Sequence, residues 1–171
     1  FVKDPVYLKF TYDNTLESSI PLFPRPEIGT TGEERKYDVS GGELIISRED
    51  YEKYRGNRVI LKHLDDFEID SEEKEIHYKG EIKKTLSGGE NLPKVKQQFS
   101  GIPIIHWLYH NDPSHGGSKN FVSFKVHKPD GTIDEGLLEE DALKYIGKVN
   151  QFERYGYVNV ESREEGFFTH P

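Results

Sequence analysis

The chain has 171 residues, of which 32% are charged and 33% hydrophobic, and its formal net charge is −8. This length suits one sizeable domain or two small ones, and the high polarity favours two small cores with a large surface over one thick sandwich. Because there is no cysteine, a disulfide framework and a thiolate metal site are excluded, which fits a cytosolic protein.

The first part of the chain alternates between strand signals and loop signals. The segment PVYLKFTYD (5–13) alternates apolar and polar residues and predicts a strand. The proline-rich segment 21–39 predicts a long surface loop that ends in a strand at Tyr37–Val39. Residues 72–83 predict a further strand, and LSGGENLPK (86–94) predicts a flexible loop.

Residues 41–70 predict a strand, a helix and a second strand. Ser47 is placed to cap the helix, and Asp50 follows three residues later, which is close to a capping box. Gly56 is expected to end the helix after about two turns. This helix is one of two that the sequence predicts.

The second part of the chain predicts short strands and the other helix. The predicted elements are a buried strand in GIPIIHWLYH (101–110), a hairpin around the turn KPDGT (128–132), a short helix ended by Gly147, a strand over 149–161 and a final strand over 163–171. In total we expect about ten strands and two short helices. Turn signals recur every 8–15 residues, which favours an all-β fold of barrels over βαβ units.

Motifs for catalysis or metal binding are weak. His106 and His110 would stand roughly 13 Å apart on a strand, too far to share a metal ion, and neither His115 nor His127 completes a zinc pattern. The sequence has neither a G-x-S-x-G elbow nor a phosphate loop. We therefore predict a binding module with no catalytic residue, no metal ligand and no cofactor site.

A nucleic-acid partner conflicts with the net charge but not with the charge distribution. Acidic residues cluster, and lysine and arginine gather elsewhere in the chain. Such separation permits a basic face on an acidic protein, and phosphate contacts need a face of this kind. The candidate basic residues are Arg25, Arg35, Lys36, Lys83, Lys84, Lys94, Lys96 and the lysines from Lys119 to Lys128.

The segment QFERYGY (151–157) carries the chemistry for reading a nucleobase. The Gln151 amide offers a donor and an acceptor, and the Arg154 guanidinium offers a rigid donor fork and a flat face. On a regular strand the two would face opposite ways, so a bulge or strand end near Gly156 would be needed to bring them together. The alternative is a polar sheet face, with Glu153 paired to Arg154 or to a lysine opposite.

These segments together resemble a known family. FVKDPVYLKF, GGELIISREDYEKYRGNRVILKHLDDFEI, GIPIIHWL, KVNQFERYGYVNVE and FFTHP occur in the order found in the C-terminal anticodon-binding region of archaeal-type glutamyl-tRNA synthetases. The glutaminyl-tRNA synthetases belong to the same group. Since the chain contains no methionine and begins at Phe1, we expect a fragment of a longer polypeptide.

The resemblance implies two small, partly interleaved β-barrels that grip the anticodon loop of tRNA. We expect the first barrel over residues 1–100 and the second over 101–171, with strands exchanged between them. In the family the Gln and Arg of QFER belong to the pocket for the middle anticodon base, here Gln151 and Arg154. The loop before Val39 departs from the family pattern, and Arg25, Arg35 and Lys36 are the candidates for its phosphate contacts, together with Lys94 and Lys96.

The resemblance also implies that aminoacylation takes place elsewhere. Neither H-I-G-H nor K-M-S-K-S occurs here, so ATP and magnesium would be bound by a catalytic domain of the same cytoplasmic polypeptide, a glutamate–tRNA ligase. The expected partners are tRNA and that domain, with no membrane. Two alternatives stay open: the corresponding region of a glutaminyl-tRNA synthetase, and an unrelated acidic β-module that binds sugars or proteins through exposed aromatics such as Trp107 and Tyr109.

Overall fold

A computed structural model describes residues 1–21, 34–111 and 119–171, with no side-chain placement for residues 18–21, 34–37 and 92. In these ranges the strands form sheets of seven, six and two strands. The two large sheets are curled and the helices are short, which confirms the predicted all-β fold of two small barrels. Within the same ranges, no helix has the length and apolar character needed to cross a lipid bilayer.

The seven-stranded sheet is built from the first two thirds of the chain. Its strands are β2 (Pro5–Phe10), β5 (Gly42–Ser47), β6 (Arg58–Leu61), β7 (Asp65–Ile69), β8 (Glu75–Tyr78), β9 (Ile104–Ile105) and β10 (Leu108–Asn111). They lie in the order β10-β5-β2-β8-β7-β6-β9. Leu8, Leu44 and Phe67 are fully buried between them, as the alternating pattern of β2 predicts.

The six-stranded sheet is built mainly from the last third of the chain. Its strands are β1 (Val2–Lys3), β11 (Phe121–His127), β12 (Ile133–Glu139), β13 (Val149–Phe152), β14 (Gly156–Val160) and β15 (Glu165–His170). They lie in the order β1-β12-β11-β15-β14-β13. Phe124, Val126, Phe152, Val158 and Val160 form the core on one face of this sheet.

The strands of the two large sheets are interleaved along the chain. β1 pairs with β12 in the six-stranded sheet, although β2 follows it directly in the seven-stranded sheet. β9 and β10 lie beyond residue 100 and yet pair with β6 and β5. A small apolar cluster that includes Val2, Ile45 and Leu108 joins these strands. The barrel boundary at residue 100 stays a prediction.

The two-stranded sheet pairs β3 (Leu16–Pro21) with β4 (Glu34–Val39). The predicted strand at Tyr37–Val39 is therefore present and begins earlier than expected. The predicted loop between these strands, with Arg25, lies outside the described residues.

The first predicted helix is confirmed as α1 (Arg48–Tyr54). The Ser47 hydroxyl accepts a hydrogen bond from the Asp50 N–H at 3.1 Å, as expected for an N-cap. The chain turns at Gly56, where φ is +81°. The Asp50 carboxylate does not serve the cap, because it binds Arg154.

The predictions for residues 72–83 and 86–94 were wrong after Tyr78. Residues expected as strand and loop form α2 (Glu81–Ser87) and α3 (Leu92–Gln98) instead. Asn91 caps α3 by accepting from the Lys94 N–H at 3.0 Å, and Pro93 lies in the first turn, where a missing N–H costs nothing. Together with α1, the described ranges thus hold three α-helices.

Two C-terminal predictions also needed correction. The second predicted helix is a 3₁₀ helix, Glu140–Tyr145, followed by Gly147 at φ +84°. The single strand predicted over 149–161 is a hairpin, in which β13 and β14 flank a turn at Glu153, Arg154 and Tyr155. The hairpin around KPDGT and the final strand are confirmed as β11–β12 and β15.

Candidate nucleic-acid interface

The β13–β14 hairpin holds QFERYGY in a defined shape. The Tyr155 N–H donates to the Phe152 carbonyl at 2.9 Å, which closes a tight turn over Glu153 and Arg154. Phe152 is buried and packs edge-on against Phe124, with ring centroids 6.0 Å apart. This buried ring anchors the hairpin and leaves the neighbouring residue of β13, Gln151, on the opposite face.

The Gln151 side chain is exposed on that opposite face, directly across from Tyr157 of β14. Among the described residues no side chain or backbone group forms a hydrogen bond with its amide. A donor and an acceptor therefore face solvent together on one planar group. Such a group is suited to bond the edge of a nucleobase.

Arg154 lies at the turn and not on a strand. Its φ of +63° is unusual for a residue with a side chain. Its two terminal nitrogens each donate to one oxygen of the Asp50 carboxylate at 3.0 Å, and Asp50 is buried. The hydrogen bond with Asp50 raises the pKa of Arg154 above its ordinary value, although burial acts in the opposite direction. The guanidinium is therefore a fixed cation, with 46% of the Arg154 side chain exposed.

The structure does not join Gln151 to Arg154 by any hydrogen bond within the described ranges. Neither cross-strand partner considered for Glu153 is found among the described residues. The Glu153 carboxylate accepts from Lys62, which lies in the connection between β6 and β7 and not on a strand paired with the hairpin. Arg154 pairs with Asp50 instead. Sequence reasoning missed this partner because it lies 104 positions away.

The site continues into the β6–β7 connection through Lys62. The Lys62 carbonyl accepts from the indole N–H of Trp107 at 2.9 Å. His106 lies 3.7 Å from the Glu153 carboxylate, and burial lowers its pKa to about 4, so its imidazole is neutral at pH 7. The turn of the hairpin therefore contacts α1 through Asp50 and the β6–β7 connection through Lys62.

The candidate phosphate-binding residues lie on other elements. Lys94 and Lys96 are exposed on α3, and Lys94 pairs with Glu90 at 3.1 Å. Arg35 and Lys36 lie in β4, opposite Ile20 and Ser19, and nothing is described of their side chains. Arg25 lies outside the described residues.

A hydrogen bond links helix α2, which carries Lys83 and Lys84, to the β3–β4 sheet, which carries Arg35 and Lys36. The Lys83 ammonium of α2 donates to the Glu17 carbonyl of β3 at 3.0 Å. The lysine-bearing helix α2 is therefore adjacent to the β3–β4 sheet, which carries Arg35 and Lys36.

The alternative of an exposed aromatic patch conflicts with the structure. Trp107 and Tyr109 are only 8% and 7% exposed. The Tyr109 hydroxyl donates to the Ser40 carbonyl at 3.2 Å. Both rings serve the core, so they are not a sugar-binding or protein-binding surface.

One group of potential metal ligands occurs in the described ranges. Asp70, Glu75 and His77 bring ligand atoms within 4.8 Å of one another. The Asp70 carboxylate already accepts the N–H groups of Glu73 and Glu72 at 2.8 and 2.9 Å, which lowers its pKa to about 2. These backbone hydrogen bonds stabilise the charged Asp70 carboxylate, so its position is accounted for by the local turn without a metal ion.

The chain is similar to glutamate–tRNA ligases from several organisms. The chain is 36% identical to a glutamate–tRNA ligase of Thermoplasma volcanium, over 99% of this chain and 26% of that protein. It is 31% identical to a glutamate–tRNA ligase of Archaeoglobus fulgidus, over 91% of this chain and 23% of that protein. A glutamate–tRNA ligase of Pyrobaculum aerophilum is 29% identical, over 99% and 27% respectively.

The chain thus spans about a quarter of the length of the curated relatives it matches. No protein-family model matches it. The match extends over nearly the whole chain and includes both large sheets, so the similarity is not confined to the QFERYGY hairpin.

Proposed function

The chain belongs, over the segment that it covers, to the family of archaeal-type glutamate–tRNA ligases, and we propose that this segment binds the anticodon loop of tRNA. The observation that carries the proposal is the match over 99% of the chain to a protein named for joining glutamate to tRNA. The fold supports it, because the two small β-barrels that the family resemblance implies are present. The proposed ligand is glutamate tRNA. If the parent ligase also charges glutamine tRNA, this segment binds the anticodon loop of that tRNA as well.

Base recognition is proposed for Gln151 and Arg154. The Gln151 amide is free to bond the Watson–Crick edge of the middle anticodon base. Two of the five Arg154 N–H donors are held by Asp50, which leaves three for RNA in a fixed plane. A guanidinium fixed in this way loses little side-chain entropy on binding, so its contacts add to specificity at low cost.

Phosphate binding is proposed for Arg25, Arg35, Lys36, Lys94 and Lys96. These contacts would set register and affinity, and the base contacts would set specificity. The acidic remainder of the surface, with a net charge of −8, would repel tRNA docked in other orientations. Because phosphate contacts release counterions, binding should weaken as salt rises. The logarithm of the binding constant should fall against the logarithm of the salt concentration with a slope of about −0.7 per phosphate neutralised on a single strand.

Catalysis is proposed for another part of the ligase. The relatives are about four times as long as this chain. We assign ATP, magnesium and the aminoacylation site to a catalytic domain of the same cytoplasmic polypeptide. Correct docking of the anticodon would favour productive placement of the distant acceptor end in that domain.

The experiment is a salt titration of binding to the anticodon stem-loop of glutamate tRNA. Wild type, Gln151→Ala and Gln151→Glu are compared on the cognate loop and on loops with the middle or third base changed. Ser123→Ala, an exposed polar position on the same sheet, is the matched control. We expect wild type to prefer the cognate middle base, and both Gln151 variants to lose that preference while Ser123→Ala keeps it. Equal affinity of wild type for all loops would overturn the proposal.

A further inference from the structure

The face of the six-stranded sheet that carries Gln151 also carries paired aromatic rings. Gln151 lies opposite Tyr157, and Tyr157 lies opposite His170. Residues directly opposite each other on neighbouring strands point to the same side. Phe152, Val158 and Val160 face the core on the other side, so the row Gln151–Tyr157–His170 faces outward. We refer to it as the ring row.

The two rings of the ring row are in contact. The centroids of Tyr157 and His170 are 4.3 Å apart, with an angle of 30° between the ring planes. Tyr157 is partly buried and His170 is exposed. A pair of tilted aromatic rings, one exposed and one partly buried, thus lies in the same row as the Gln151 amide.

An irregularity in the strand pairing produces this arrangement. The register shifts between Tyr157 and Val158, which places His170 instead of Thr169 opposite Tyr157. The Thr169 hydroxyl donates to the Tyr157 carbonyl at 3.1 Å and holds the shifted register. Gly156 has a φ of +142°, and a Cβ there would lie 2.6 Å from the Phe168 ring. The close approach of β14 and β15 at the ring row therefore requires glycine.

We propose that Tyr157 and His170 form a stacking platform for the RNA base whose edge Gln151 bonds. The inference rests on the proposed function and adds two specificity-determining residues to it. Bases that leave a single-stranded loop are held by stacking on aromatic planes and by hydrogen bonds to their edges. The ring row places both kinds of group on adjacent strands, about 5 Å apart in the direction of the backbone hydrogen bonds.

A second ring pair on the same face serves as a matched control. Phe167 stacks on His127 with centroids 4.9 Å apart at 20°, and Phe167 is 47% exposed. The His127 imidazole lies 2.9 Å from the Glu165 carboxylate. Because this carboxylate would repel a phosphate backbone, we expect the Phe167–His127 pair to take no part in RNA binding.

The test measures the affinity of the chain for the glutamate anticodon stem-loop, with the natural middle base or with a fluorescent analogue that keeps the Watson–Crick edge of that base. We expect Tyr157→Ala and His170→Ala each to weaken binding by about fivefold to 150-fold, the range found for loss of one base-stacking contact. Phe167→Ala should bind like wild type. Binding should quench the fluorescence of this analogue with wild type, and less so with Tyr157→Ala. Circular dichroism and thermal unfolding show that each variant is folded.

The outcomes separate the platform from the proposed function. If wild type prefers the cognate loop and both alanine variants match it in affinity and quenching, the platform is wrong and the function stands. If wild type does not bind the stem-loop, the proposed function fails, and binding of a uridine hexamer then tests the rings alone. Hexamer binding that is lost in Tyr157→Ala supports the platform. The absence of hexamer binding to wild type overturns the platform. If Phe167→Ala weakens binding as much as Tyr157→Ala, the assignment to the ring row is overturned.

Discussion

Arg154 and Asp50 form a bidentate ion pair that joins the β13–β14 hairpin to helix α1. Both guanidinium–carboxylate distances are 3.0 Å, and the residues are 104 positions apart in the chain. Asp50 belongs to α1, next to the seven-stranded sheet, and Arg154 belongs to the turn of the β13–β14 hairpin in the six-stranded sheet. The proposed base-reading hairpin is therefore held in place by the other half of the fold.

The first prediction concerns the loss of this pair. Arg154→Ala leaves the Asp50 carboxylate buried without its cation, and the Asp50 side chain is only 6% exposed. We expect the free energy of unfolding to fall by about 2–4 kcal/mol, measured by urea denaturation. A double-mutant cycle with Asp50→Asn should show that the two changes are not additive.

Arg154→Gly is the matched variant for this measurement. It removes the same guanidinium but favours the φ of +63° that the turn requires. We expect Arg154→Gly to be about 1 kcal/mol more stable than Arg154→Ala. Equal stability of the two variants would show that the backbone strain at the turn is negligible.

The second prediction concerns Trp107, the single tryptophan of the chain. Since Trp107 is 8% exposed and its indole N–H donates to the Lys62 carbonyl, we expect blue-shifted emission and weak quenching by acrylamide. The quenching constant should rise several-fold in urea. Strong quenching of the folded chain would restore the alternative of an exposed aromatic surface.

The third prediction concerns Gly156. In Gly156→Ala the new Cβ would lie 2.6 Å from the Phe168 ring and 2.9 Å from the His170 carbonyl, at a φ that disfavours side chains. We expect thermal unfolding to show a loss of about 1–3 kcal/mol. Gly101→Ala is the control, because its Cβ meets no atom within 4 Å. A Gly156→Ala variant as stable as Gly101→Ala would contradict the close packing of β14 on β15.

The fourth prediction concerns Asp65, which is 2% exposed beside the buried Asp66. Burial raises the pKa of Asp65 from 3.8 to about 6, and the neighbouring Asp66 adds to the rise, although the Tyr78 hydroxyl donates to the Asp65 carboxylate at 2.8 Å. The folded chain therefore binds this proton more tightly than the unfolded chain. The stability that protonated Asp65 contributes is full below about pH 4 and is lost as the pH rises through about 6.

Asp65→Asn should remove this pH dependence. We expect the unfolding free energy of the variant, relative to wild type, to improve between pH 4 and pH 6.5 by on the order of 2 kcal/mol. Asp130→Asn is the control, since hydrogen bonds from Thr132 lower the pKa of the exposed Asp130 and place its titration below this window. Parallel pH curves for Asp65→Asn and wild type would show that Asp65 is ionised throughout.

Local patterns predicted some elements well and others poorly. The capping of α1 by Ser47 and the turn around Gly131 depend on neighbours within a few residues, and both occur as expected. For α2 and α3 the strand pattern of β8 was extended past Gly80, although Asn91 and Pro93 carried a helix-start signal. Trp107 lies in the segment predicted as a buried strand, but the structure was needed to show that its ring is in the core, because an apolar run does not show which side it packs against.

The sequence by itself determined the all-β class, the hairpin around KPDGT, the cap of α1 and the relation to glutamate–tRNA ligases, because these depend on local residue order. Only the tertiary structure decided that Arg154 forms an ion pair with Asp50, that Glu153 forms an ion pair with Lys62 and that the Tyr157 ring contacts the His170 ring. Position 154 has a positive φ but is neither glycine nor asparagine, so the sequence gives no signal for a turn there. The arginine is held in place by the Asp50 carboxylate, 104 residues away. Contacts between distant segments follow from packing, and no local pattern encodes them.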